Sequence, residues 1–102
     1  ARVRQAFARE VLGDLPYQTH PDSYFLWLTL PALSRPPEFA VELRRRGVAV
    51  TPANVFTVPG VAVPNAVRIC LGAAESRELL RRGLEVIADL ARCESRRGAP
   101  VA

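Results

Sequence analysis

Apolar residues recur every four positions at the start of the chain, at Val3, Phe7, Val11 and Leu15, with Arg4 and Glu10 elsewhere. That spacing predicts an amphipathic helix over residues 1–15, stopped by Pro16. A polar loop with Thr19, His20, Pro21 and Asp22 follows. Residues 24–30, YFLWLTL, are aromatic and β-branched, apolar on both faces and closed by Pro31, which predicts a buried strand. Helical spacing returns from Ser34 to Arg46: Ser34 stands where a cap belongs, Pro36 and Pro37 fit a first turn, and Phe39, Ala40 and Leu43 form the inward stripe before Gly47. Residues 48–51 read as a short strand ended by Pro52, and a loop rich in proline and glycine runs on to Asn65. Residues 66–71 then alternate, with Val67, Ile69 and Leu71 on one face and Arg68 and Cys70 on the other. Ser76 can cap a last helix whose stripe is Leu80, Leu84, Ile87 and Ala91, widened by Leu79, Val86 and Leu90. Glu78 precedes Arg82 by four, the spacing of an ion pair on its polar face. Residues 93–102 are expected to form a frayed tail.

The element order is helix, strand, helix, strand, strand, helix. Each helix has one apolar stripe to bury, so the pattern predicts an α+β fold: a small three- to four-stranded sheet, antiparallel or mixed, with helices packed on one face. At 102 residues and 11.2 kDa the chain holds one core, and 49% apolar with 24% charged residues is a globular composition. A single domain over residues 1–102 follows.

Charge narrows the chemistry. All 14 basic residues are arginines, the net charge is +4, and there is no lysine. An arginine stays protonated, so this chain by itself has no side chain for a Schiff base. The chain opens on Ala1 without a methionine or a helix cap, and we expect it to be a piece of a longer protein. Cys70 and Cys93 stand 23 apart, a spacing that matches no zinc or redox motif, and His20 is the lone histidine. Two structural thiols, no metal site and a reduced cytoplasmic setting are expected. The 21 residues between Arg46 and Arg68 carry no charge, yet Pro52, Pro59 and Pro64 exclude a membrane span. Their lack of charge predicts instead that residues 47–65 pack against a neighbour.

Catalytic candidates are absent. No nucleophile motif surrounds His20, acidic pairs such as Glu38 and Glu42 sit on helix faces, and no glycine-rich phosphate loop occurs. The runs Arg44–Arg46, Arg81–Arg82 and Arg96–Arg97 are interleaved with glutamates and lack an aromatic ladder, so they read as solvated faces rather than a nucleic-acid surface. Arg68 differs, because it lies mid-strand in charge-free surroundings. Two readings stand: its sheet face is open to water, or the guanidinium is presented beside a pocket to grip a carboxylate. Phe25 and Trp27 are likewise core aromatics or pocket walls.

The ordered segments FLWLTLP (25–31), RGVAVTP (46–52) with Phe56 four beyond the proline, PNAVRI (64–69) and SRELL (76–80) with Gly83-Leu84 resemble the C-terminal small domain of fold-type I pyridoxal-phosphate-dependent aminotransferases. They are most similar to the aminotransferase-like half of MocR-type transcriptional regulators of the GntR family. The resemblance runs from the first helix to about Leu90. It implies that Arg68 binds the α-carboxylate of an amino-acid-like small molecule, and that pyridoxal phosphate belongs to a separate large domain of the parent. It also implies a winged-helix DNA-binding domain before that half, a homodimeric parent, and no direct nucleic-acid contact by this domain. The family usually has glycine directly after the second strand's proline, where this chain has Ala53. A free-standing amino-acid aminotransferase and a ligand-free α+β interaction domain are the alternatives.

Overall fold

The computed structural model describes residues 2–56 and 59–97. Four strands and three helices follow one another in the order α1 (Arg2–Leu12), β1 (Tyr17–Thr19), β2 (Phe25–Thr29), α2 (Pro36–Arg45), β3 (Thr51–Pro52), a 3₁₀ turn (Ala53–Phe56), β4 (Ala66–Cys70) and α3 (Arg77–Arg97). The sheet is antiparallel in the order β1-β2-β4-β3, so its two longest strands sit side by side at the centre. Leu26 lies opposite Ile69 and Leu28 opposite Val67. All four are buried, because this is the face that the helices cover. Phe39 and Leu43 of α2, Ala8 and Leu12 of α1, and Leu80, Leu84 and Ile87 of α3 complete one core. The predicted α+β fold with helices on one face is what the chain adopts.

Several local expectations are corrected. β2 is buried on one side only: Phe25 and Thr29 are exposed and Trp27 half-buried. Its aromatic residues therefore line an open face that sequence cannot distinguish from a second core face. β1 falls in the stretch read as a polar loop. Three polar-to-aromatic residues carry no alternation, and β2 supplies the pairing that makes them a strand. Gln5 Nε2, buried under that edge, ties it down by donating to Thr19 Oγ1 at 2.8 Å and to the carbonyls of His20 and Ser23 at 3.0 and 2.7 Å. The strand expected at 48–51 shrinks to Thr51–Pro52. Gly47 turns at φ 88°, Val48 N–H closes α2 onto Leu43 O at 2.9 Å, and that donor is lost to the sheet.

The helix ends shift for similar reasons. α1 stops at Leu12 before Gly13 at φ 57°, and its buried positions are Gln5, Ala8 and Leu12, with Phe7, Val11 and Leu15 only packed around them and Val3 exposed. Ala1 lies outside the described residues. Arg4, on the polar face in sequence, donates to Leu71 O at 2.7 Å and Ala74 O at 3.0 Å, stitching α1 to the turn after β4. The N-cap of α2 is Arg35, without a side-chain cap, because the Ser34 hydroxyl donates instead to Glu94 Oε2 at 2.8 Å. Ser76 does cap α3, accepting from Leu79 N–H at 3.1 Å. The expected fraying after Arg92 is corrected: α3 runs on to Arg97, held by the Ser34–Glu94 bond and by Arg92 Nη2 donating to the Val11 and Leu12 carbonyls at 3.4 and 3.3 Å. Residues 98–102 of that expected tail lie outside the described residues.

Among the described residues Arg81, not Arg82, forms the ion pair of α3, and its partner is Glu10 of α1 rather than Glu78. Two parallel hydrogen bonds of 3.2 Å join the carboxylate and guanidinium. Those bonds, and then the charge of Arg81, hold the Glu10 carboxyl below its ordinary value of 4.5. A carboxylate with a lowered folded value contributes stability that is fully present above pH 4.5 and lost as the pH falls through the lowered value. We therefore expect Glu10→Gln to remove a small acid-side decline in stability while leaving the neutral-pH contribution of packing intact. Melting temperatures of both proteins between pH 6 and 3 check this: parallel curves would show that the pair adds nothing.

Candidate functional site

Strand alternation sends Arg68 of β4 to the face opposite the helices, together with Phe25, Trp27, Cys70 and Thr51. Trp27 and Thr51 are its direct neighbours across the sheet, and Phe25 lies diagonally beyond Trp27. The 3₁₀ turn after β3 then brings Phe56 over the same face. It can do so because Ala53 is buried at the base of the turn and takes a negative φ, so the alanine at a position usually held by glycine is unstrained. The guanidinium carbon of Arg68 lies 4.4 Å from the ring centroid of Phe25 and 4.4 Å from that of Phe56. Trp27 meets Phe56 edge-on, centroids 5.7 Å apart at 81°.

The electrostatics of this cluster are simple. Every ion pair among the described residues lies elsewhere, at Arg2–Asp22, Glu42 with Arg45 and Arg46, and Glu10–Arg81. Arg68 is half-buried; its guanidinium enters none of the ion pairs among the described residues, and none of its N–H groups is buried without a partner. Ring faces stabilise a cation through their quadrupole without occupying its hydrogen-bond donors. Among the described residues the site is thus a guanidinium fork without an ion-pair partner, set in aromatic surroundings, and such a fork can take a planar carboxylate. Of the two readings of Arg68, the sheet face is open, and the guanidinium is also positioned on it. Phe25 and Trp27 belong to this face and not to the core.

Other candidates stay apart from it. His20 Nδ1 accepts from Asp22 N–H at 3.2 Å within its own loop. Cys70 is half-buried and Cys93 exposed, both as free thiols, and no group of three metal-capable side chains occurs among the described residues. An open groove of about 570 Å³ separates α2 from the end of α3, and another of about 550 Å³ lies between residues 46–49 and α3; neither includes Arg68. Val55, Phe56, Val61 and Val63, all in the uncharged stretch, are exposed, while Thr57 and Val58 of that stretch lie outside the described residues. No described helix is long and apolar enough to cross a membrane. The sequence alone singled out Arg68 and Phe25; Phe56 acquires its place only through the turn after β3.

A four-stranded antiparallel sheet with three helices is the architecture at hand, and comparison with known proteins places it in a family. The chain belongs to the aminotransferase class I and II family, whose profile matches residues 1–87. It is 35% identical over 86 residues to long chain base biosynthesis protein 2b of Oryza sativa subsp. japonica, covering 84% of this chain and 16% of that protein. Its fold is similar to that of an archaeal alanine:glyoxylate aminotransferase, with TM-score 0.73 and 24% identity over 90% of this chain and 22% of that one. It is also similar to a Psychrobacter arcticum 273-4 protein named for amino-acid aminotransferase activity, with TM-score 0.69 and 26% identity over the same shares. The chain thus spans 16–22% of the length of these three proteins.

Aminotransferases of this family work with pyridoxal phosphate. The residues here do not fit that group itself: the sequence has no lysine to bond its aldehyde and no glycine-rich loop to cradle its phosphate. What they do fit is a carboxylate, at Arg68.

Proposed function

We propose that this chain is the carboxylate-binding small domain of an aminotransferase-like transcriptional regulator of the MocR type in the GntR family. Arg68 receives the α-carboxylate of an amino-acid-like effector. A separate large domain of the same cytoplasmic protein holds pyridoxal phosphate, a winged-helix domain contacts DNA, and two copies pair. The observation that carries the carboxylate assignment is the Arg68 guanidinium, positioned by two rings and without an ion-pair partner among the described residues. Support for the regulator comes from the order and spacing of the RGVAVTP, PNAVRI and SRELL segments. Family membership supports the cofactor.

A second reading has a specific observation behind it. The rice relative is named for biosynthesis, which favours the small domain of an enzyme. Two assays on the full-length protein separate these: specific binding to the DNA upstream of its own gene with and without amino acids, and transamination between an amino acid and a 2-keto acid. The regulator reading expects amino-acid-sensitive DNA binding. Transaminase turnover without specific DNA binding would replace it with the enzyme, and a protein showing neither would overturn both.

A further inference from the structure

Two large rings stand exposed on the sheet face opposite the helices in this chain. Phe25 and Phe56 are each 42% exposed, although phenylalanine gains most from complete burial. What they share is one guanidinium, 4.4 Å from both centroids. They reach it from different directions in the chain, one along β2 and the other over the turn after β3. Trp27, edge-on to Phe56 and directly across the sheet from Arg68, fixes the orientation of that second ring.

We propose that Phe25 and Phe56 are positioning residues that hold the Arg68 guanidinium in the orientation a ligand carboxylate requires. This rests on the carboxylate-binding reading of Arg68. The physical case has two parts. An arginine on a half-open strand has many rotamers, and each one that aims the fork away from the ligand lowers affinity by its population. Confinement by two rings removes most of them before binding. A carboxylate at the same place would confine the side chain too, but it would occupy the N–H donors and cancel the charge. Ring faces do neither, so the clamp orients the cation and leaves its full hydrogen-bonding capacity for the ligand. The same clamp demands a planar cation, which an ammonium is not.

The test uses the full-length protein loaded with pyridoxal phosphate. The twenty standard L-amino acids are titrated by calorimetry, and the tightest binder and its carboxamide, which lacks the negative charge, become the probe pair. For Phe25→Leu/Phe56→Leu, which keeps apolar bulk without a ring face, the amino acid is expected to bind about tenfold more weakly, with carboxamide affinity and melting temperature unchanged. Phe56→Tyr, retaining the ring, is expected to bind both as wild type does. Arg68→Ala serves as the control. If it loses the preference for carboxylate over carboxamide while the double leucine variant keeps it, the clamp is overturned and the carboxylate reading stands. If Arg68→Ala keeps the preference, or no amino acid binds, that reading falls and takes the clamp with it. Equal weakening of both probes in the double variant assigns the rings to general packing and also overturns the clamp. Should that variant melt early, Phe56→Leu against Phe56→Tyr decides on the same criteria.

Discussion

Replacing Arg68 with alanine in the full-length protein is expected to weaken amino-acid binding about ten- to a hundredfold and to leave the melting temperature almost unchanged. On the proposed carboxylate-binding role, what is lost is a charge-assisted, bidentate hydrogen bond worth roughly 1.5–3 kcal/mol. Little else is lost. Among the described residues the guanidinium takes part in no ion pair, so its removal orphans no buried charge. Its structural contacts are the two ring faces, at a half-exposed site where cation–π attraction is worth about 0.5–1 kcal/mol. Arg68→Lys should recover only part of the affinity, since an ammonium lacks the fork. Titration and melting are done in parallel on wild type and both variants. Unchanged affinity with a large fall in melting temperature would make Arg68 a structural residue.

The largest effect on stability is expected at Phe39. This ring is 2% exposed and is the largest of the fully buried side chains, in the layer where α2 meets the sheet and α3. Phe39→Ala removes its transfer free energy and leaves a cavity that the surrounding leucines fill poorly, a cost of about 3–5 kcal/mol. A domain of this size has only about 5–15 kcal/mol in total, so the variant should be largely unfolded at modest urea. Phe25→Ala makes the contrast: the same residue type on the open face, already 42% in water, should lose roughly 1 kcal/mol. Urea unfolding followed by Trp27 fluorescence, the chain's single tryptophan, compares the two midpoints. A Phe39→Ala midpoint close to that of Phe25→Ala would overturn the assignment of Phe39 to the core.

Periodicity carried the fold a long way, for a physical reason. α3 is legible because Leu80, Leu84, Ile87 and Ala91 repeat at helical spacing over many turns, and β4 because Val67, Ile69 and Leu71 alternate. Local chemistry also placed the turn at Gly47 and the cap at Ser76. β1 was illegible, since three residues are too few for a period and its pairing comes from β2 and Gln5. The end of α3 is not legible in the sequence because Glu94 and Arg92 find their partners on α2's leading loop and on α1, contacts separated by 60 to 81 positions.

The candidate site divides along the same line. By itself the sequence determined that a lone arginine stands mid-strand on the face opposite Val67 and Ile69, and that this chain has no lysine amine for a cofactor, because both follow from residue type and a period of two. Only the tertiary structure decided that the Phe25 face is open rather than buried, that Glu10 takes Arg81, and that Phe56 returns over Arg68. Burial depends on what lies on the far side of a strand, and a contact across twelve residues depends on the path of a turn. Neither is encoded in local spacing.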